Sequence, residues 1–255
     1  MTYRLQAYNT ATESTNKIHD DDVARTYGFR GGLVPGVDVY AYMTHVPSER
    51  WGLAWLGHGS IRARFAKPVY DGRVVTVSAS EAGELLDLQV VDEGGVVCAT
   101  AQASRRPIEI DRPLPEAAPL PAERPAASPA SLRAGTVLGS ITEVFDAALA
   151  TSYLADVRES LPLFGAVAHP GWLLRLANAV LARNVVLGPW IHVSSDVSLL
   201  GIVQDGERVT ARAVVIGEFE RRGHRFVTLD VALDSEDRPV QRITHTAIHT
   251  PRRAD

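Results

Sequence analysis

The spacing of hydrophobic positions along the chain changes several times. Leu173, Leu174, Leu176, Ala177, Val180 and Leu181 recur at helical spacing, interrupted by Arg175 and Arg183. The apolar stretch VDVYAYMTHV, which follows Pro35-Gly36, predicts a second helix. Proline blocks a helix interior, so this helix is expected to end before Pro47, with a further turn through residues 51–56. Residues 74–80, 85–91 and 96–104 alternate or run apolar as strands do, and so do residues 209–216, 225–233 and 240–249. Asp92-Glu93-Gly94-Gly95 and Asp234-Ser235-Glu236-Asp237 read as hairpin turns. Each half therefore predicts one long helix followed by antiparallel strands. This is an α+β layout in which the helix buries its apolar side on the concave face of a sheet.

The two halves also repeat one another. Pro35-Gly36 and Pro170-Gly171 open the two helices at an offset of 135 residues. Asp71-Gly72 and Asp205-Gly206 precede the main strand runs at an offset of 134. The same order at a nearly constant offset predicts two similar units. Between them, residues 107–129 hold seven of the fifteen prolines, which excludes a helix or an inner strand and reads as an extended, semi-stiff connection. The expected organisation is a first unit over residues 1–106, a linker over 107–134 and a second unit over 135–255.

Composition narrows the function classes. With 45% hydrophobic and 22% charged residues the chain is too apolar for disorder, and no run approaches the roughly 20 apolar residues of a membrane span. A net charge of −4 argues against a nucleic-acid partner. The single cysteine, Cys98, excludes an internal disulfide and any multi-cysteine metal site. The first residues show no basic start ahead of an apolar core, so no signal peptide and a cytoplasmic location are expected. No glycine-rich phosphate loop or nucleotide fingerprint is visible, so no metal, flavin or nicotinamide cofactor is expected.

The segment 16–36 reads NKIHDDDVARTYGFRGGLVPG. It resembles the signature of the MaoC-like, (R)-specific enoyl-thioester hydratase/dehydratase family, which carries an Asp-x-Asn-Pro-Ile-His motif. In that family an acidic helical turn, an aromatic-glycine stretch and a glycine opening the long helix then follow. Asn16, Ile18, His19, Asp20, Ala24, Gly28-Phe29, Val34 and Gly36 fall in register. The resemblance implies two hot-dog units fused in one chain, each a long helix wrapped by an antiparallel sheet, paired as an intrachain pseudo-dimer that could pair again as a homodimer. It further implies reversible hydration of enoyl thioesters carried on coenzyme A or a carrier protein. The departures are specific. The family's catalytic aspartate position is Ser14, with Glu13 one residue out of register. Lys17 replaces the proline after the asparagine, and Pro35 replaces a frequent histidine before the helix glycine. The second unit has no Asn-x-Ile-His segment, and so resembles a degenerate half that shapes the binding tunnel.

On this reading His19 is the proton-transfer group, since imidazole titrates near neutral pH. Asn16 would fix the loop, and the Gly36 N–H at the helix start would hold the thioester oxygen. Pro35 and Tyr40 join them as candidate substrate-site residues. Glu13 or a water held by Ser14 could replace the lost aspartate. A hot-dog thioesterase would instead use the same oxygen site with a base such as Asp38, in the first helical turn, or His19 acting on water. A non-catalytic acyl-binding protein, with the tunnel kept and the chemistry lost, is the third reading. Asp20-Asp21-Asp22 is expected to cap a short helix closed by Gly28, since acids complement a helix start. His169, Asp156, His245 and His249 rank lower.

Overall fold

The computed structural model describes residues 1–253. The first half contains strands β1 (Thr2–Gln6), β2 (Ser60–Phe65), β3 (Val74–Ala82), β4 (Leu85–Asp92) and β5 (Val97–Ser104). Its helices are the short α1 (Asp21–Arg25) and the long α2 (Gly36–His58). The second half contains β6 (Val137–Val144), α3 (Ala147–Asp156), α4 (Pro170–Asn184), β7 (Ile191–Leu199), β8 (Arg208–Arg221), β9 (His224–Ser235) and β10 (Arg238–Thr250). All ten strands form one antiparallel sheet in the order β1-β3-β4-β5-β2-β7-β10-β9-β8-β6. The order reads the same from either edge once each strand is exchanged for its counterpart. The halves meet at the β2–β7 seam, where Ser60 faces Ser198 and Arg64 faces Ser194. This is a double hot-dog fold. Among the described residues no helix is long and apolar enough to cross a membrane.

The Asp-Gly turns occupy equivalent places. Asp71 accepts from the Asn9 N–H at 2.7 Å and Gly72 donates to the Ala7 carbonyl at 2.8 Å. Asp205 accepts from the Ala147 N–H at 2.8 Å and Gly206 donates to the Phe145 carbonyl at 2.8 Å. Both glycines hold a positive φ, 70° and 81°, that a side chain would oppose. The helix starts also match at an offset of 134. Leu33 pairs with Tyr70 as Val167 pairs with Gln204, and Val34 bonds Val69 as Ala168 bonds Val203, both at 2.9 Å. This places Gly36 opposite Pro170, so the two Pro-Gly pairs are one residue out of register.

Every residue of α2 from Val37 to Ser48 is buried, because the helix lies between the sheet and α4. The helix does not end before Pro47. It runs through that proline and breaks at Gly52, with φ 57° and ψ −147°. Pro47 forfeits one N–H bond, a cost the surrounding core absorbs, whereas a left-handed glycine changes the chain direction. The two long helices approach closely at Gly171, where a Cβ would sit 2.7 Å from that of Ala41.

The proline-rich segment crosses the second half's sheet. Ile108 exchanges two 3.0 Å hydrogen bonds with the Ser198 hydroxyl. Arg112 reaches Asp230 at 3.0 Å, and the Pro113 carbonyl accepts from Arg242 at 2.7 Å. Further on, Ala118 bonds Ser140, and Ala127 bonds Val186 at 2.9 Å. The strap covers the buried Arg242–Asp230 ion pair, which would otherwise face solvent on β10 and β9.

Candidate active site between the halves

The segment joining β1 to α2 forms one wall of a cavity of about 240 Å³. Asn16 is buried and begins a 3-10 turn at Lys17–His19, its side chain accepting from the Ile18 N–H. The same amide clasps the backbone of Trp190 in the other half. Its oxygen accepts from the Trp190 N–H at 3.1 Å and its nitrogen donates to the Trp190 carbonyl at 3.0 Å. One side chain therefore fixes the turn and ties it across the seam.

His19 Nδ1 lies 2.6 Å from the Leu33 carbonyl. A carbonyl only accepts, so Nδ1 carries the hydrogen and Nε2 keeps the lone pair. The Asn16 amide nitrogen approaches that lone pair at 3.2 Å. Burial lowers the His19 pKa below the ordinary 6.5, against opposing pulls from the Leu33 carbonyl and Asp38. His19 is therefore a neutral imidazole at pH 7 with its basic nitrogen fixed.

The start of α2 lies on the same cavity. Pro35 offers no side-chain cap, and the first helical bonds run from the Asp38 and Val39 N–H groups to its carbonyl. Among the described residues the Gly36 and Val37 N–H groups have no partner. Gly36 is also sterically required, because a Cβ there would lie 2.8 Å from His192 Nδ1 and 3.1 Å from its Cβ. Phe29, Leu33, Val39, Phe65, Ile191 and Ile248 make much of the remaining wall apolar.

The fold brings Asn16, His19, Pro35 and Gly36 to this cavity and leaves Glu13, Ser14, Asp38 and Tyr40 off it. Glu13 is exposed to solvent. The Ser14 hydroxyl accepts from the Asn16 N–H at 3.1 Å, which commits it to the turn. The Asp38 carboxylate is fully buried, with Arg175 donating at 2.7 Å and Thr10 at 2.6 Å. It does not line the cavity, so it is not the group that meets a water there. Tyr40 sits wholly in the core with an unpartnered hydroxyl, whose pKa burial pushes far up. The three acids at 20–22 act as the sequence suggests: Asp20 caps α1, while Asp21 and Asp22 pair with Arg25.

Asn178 and His192 are among the cavity residues that the sequence did not single out. Asn178 on α4 has a buried oxygen without a partner. His192 on β7 shares the Ser195 hydroxyl with His245, at 2.8 and 2.9 Å. Burial and the neighbouring His245 hold His192 well below its ordinary pKa, and burial takes His245 to about 3. The β7–β10 register pairs Ser195 with His245, a non-local contact that no local pattern signals.

The second helix start is closed. Pro170 has no N–H, and the His169 side chain accepts from the Gly171 N–H at 3.0 Å. The His169 Nε2 faces the buried Glu159 at 3.5 Å, and Phe164 packs on the imidazole with ring centres 4.3 Å apart.

Comparison with known proteins agrees with this fold over nearly the whole chain. A protein from Chloroflexus aurantiacus named as a MaoC domain dehydratase matches with a TM-score of 0.66 at 9% identity, over 99% of this chain and 95% of its own. A second structure named MaoC-like dehydratase matches at 0.63 and 11% identity, over 98% and 97%. A Mycobacterium tuberculosis protein described as having a double hotdog fold matches at 0.60 and 14% identity, over 97% and 95%. At these identities the likeness is one of fold. No family model and no curated protein sequence matches the chain.

Proposed function

We propose that the protein is a hydratase/dehydratase of acyl thioesters, working in the cavity between the halves with the first half's His19 and Gly36. The observation that carries this reading is the pairing of a tautomerically fixed His19 with the unpartnered N–H groups of α2 on one apolar cavity. A thioester carbonyl accepting from the Gly36 N–H would lie at the positive end of the helix dipole, equivalent to roughly half an elementary charge. Negative charge gathering on that oxygen during enolate formation is stabilised there. In dehydration His19 Nε2 takes the α-proton of a 3-hydroxyacyl thioester, displacing the long Asn16 contact. The C–O bond at the β-carbon then breaks, the alkene forms, and the same nitrogen returns the proton to the departing hydroxyl as water. Hydration runs the steps in reverse. One base serving both transfers suits a chain whose aspartate position is Ser14. We assign the water to the Asn178 oxygen, which has no other partner and lines the same cavity. Dehydratases among the proteins of similar fold support the reading; a protein named as a thioesterase is among them too, but Asp38, a carboxylate that could serve one, is paired with Arg175 and does not line the cavity.

Incubation with crotonyl-CoA tests this. Loss of the conjugated enoyl absorbance without release of free thiol is expected. Thiol release would point to a thioesterase, and binding with neither change to an acyl-binding protein. His19 works neutral with its pKa below 6.5, so kcat/KM should hold as pH falls through 6.5 and decline only at lower pH. A decline already complete at pH 6.5 would contradict the assignment.

A further inference from the structure

The cavity's 240 Å³ is below the roughly 300–1,000 Å³ of pockets that enclose a whole drug-sized ligand. If the site takes a thioester, only the acyl end fits, and the carrier of the thioester lies outside. What surrounds the mouth then decides which carrier is used. His224, on the cavity wall, is the first residue after the β8–β9 turn, where it pairs with Arg221. Arg222-Gly223 form that two-residue turn with φ 54° and 77°. Such turns favour Asn-Gly, so an arginine there is not explained by turn preference. The Arg252 N–H donates to His224 Nδ1 at 3.0 Å, and its side chain packs on Gly223, where a Cβ would lie 3.0 Å from Arg252 Cδ. Lys67, exposed on the cavity wall, adds a cation from the first half.

Among the described residues Arg221, Arg222, Arg252 and Lys67 form no ion pair, whereas the nearby Glu218 and Glu220 are taken up by Arg225. A chain of net charge −4 thus carries Lys67 on the wall of its apolar cavity and three further cations without an ion pair around His224 on the same wall. The counterpart hairpin of the first half shows the contrast. There β3 and β4 run for 9 and 8 residues, with Glu84 in the turn and Glu81 near the end of β3. Strands β8 and β9 run for 14 and 12 residues, which extends the basic turn outward.

We infer that the β8–β9 turn, with Lys67 and Arg252, is a phosphate-binding lip that selects thioesters of coenzyme A. This rests on the thioester reading of the cavity. Coenzyme A brings a diphosphate and a ribose phosphate, matching several cations clustered on a narrow protruding turn. A carrier-protein arm brings one phosphodiester charge.

Calorimetric titration of the full chain with coenzyme A, dephospho-coenzyme A and phosphopantetheine tests this alongside turnover. Affinity should fall in that order. Arg221→Glu/Arg222→Glu should weaken coenzyme A binding by about tenfold at low salt and flatten its salt dependence. Lys67→Glu, on the opposite side of the mouth, should act in the same direction. The kcat/KM ratio for crotonyl-CoA over crotonyl-N-acetylcysteamine, which has no phosphates, should fall by a similar factor. Coenzyme A binding unaltered in both variants would overturn the lip. So would a parent protein that takes crotonyl-carrier protein in preference to crotonyl-CoA. Turnover of the N-acetylcysteamine thioester without any preference for crotonyl-CoA overturns the lip alone. Charge-dependent coenzyme A binding with no turnover of either thioester supports the lip and overturns only the hydration chemistry.

Discussion

The two halves share strand order, Asp-Gly turns and helix position, yet their helix starts are opposites. At Gly36 two N–H groups are left unpartnered beside an apolar cavity, with a neutral histidine on the same wall. At Pro170 one N–H is absent and the next is bonded by His169. Each arrangement is self-consistent. A helix start keeps a ligand site only if nothing internal satisfies its donors, and a proline followed by a capped glycine removes that possibility. The second half has gained packing instead. Glu159 lies between His45 at 2.9 Å and His169 at 3.5 Å, and also accepts from the Ser160 and Leu161 N–H groups at 2.7 and 2.8 Å. Asp38 and Arg175 join the long helices through a largely buried ion pair. On the proposed reading the first half supplies the base and the oxygen site, and the second half supplies the facing wall of the cavity.

The largest stability effect should come from the packed half. Glu159→Ala removes a buried carboxylate from four donors and should cost about 3–5 kcal/mol, or about 10 °C in Tm for a chain of this size. Burial alone would raise the Glu159 pKa from 4.5, but hydrogen bonds from His169 and His45 outweigh it and bring it to about 2. The folded value lies below the unfolded one, so this contribution is complete above about pH 4.5 and is lost as pH falls toward 2. Thermal melts across that range should show the parent losing its advantage over Glu159→Ala. A constant gap would break the account of the cluster.

Gly36→Ala should cost about 1–3 kcal/mol, since the new methyl meets a His192 held by Ser195. It should also depress kcat/KM, because the displaced helix start carries the proposed oxygen site. Gly171→Ala meets Ala41 and the Tyr153 hydroxyl, and should destabilise without changing the kcat of what remains folded. Similar kinetic losses in both variants would remove the functional asymmetry between the halves. The smallest effect is expected for Ser14→Asp. This side chain caps the turn at the Asn16 N–H, and aspartate can do the same, so stability should move by less than about 0.5 kcal/mol. Activity should not rise, because position 14 is off the cavity. A marked gain in crotonyl-CoA hydration would show that the loop rearranges around its substrate.

Local patterns carried much of the fold. Period-two alternation foreshadows six of the ten strands, and the turn chemistry of Asp71-Gly72 and Asp205-Gly206 locates equivalent loops. The edge strands β1 and β6 were not legible: β1 has only five residues, and β6 is broken by a register shift between Leu138 and Ile141 against β8. Helix α2 passes through Pro47 because tertiary burial overrides a local breaker. The site divides in the same way. Asn16, His19 and Gly36 are close in sequence and carry their spacing with them. Asp38 resembled a catalytic carboxylate until Arg175, 137 residues away, was seen to neutralise it. Asn178 and His192 reach the cavity only through the pairing of the halves, as does His224 beside the β8–β9 turn.

The central claim is that the chemistry belongs to the first half and depends on His19. It is tested most directly by kcat on crotonyl-CoA for His19→Ala and His169→Ala, side by side at equal folded concentration. Removing a general acid–base group costs about 10²–10⁴-fold. His19→Ala should lose that much while keeping a Tm near the parent's, since its Leu33 bond is worth about 1 kcal/mol. His169→Ala should lower Tm more and leave kcat within a few-fold of the parent. Turnover unchanged in His19→Ala, or lost equally in both variants, would contradict the account.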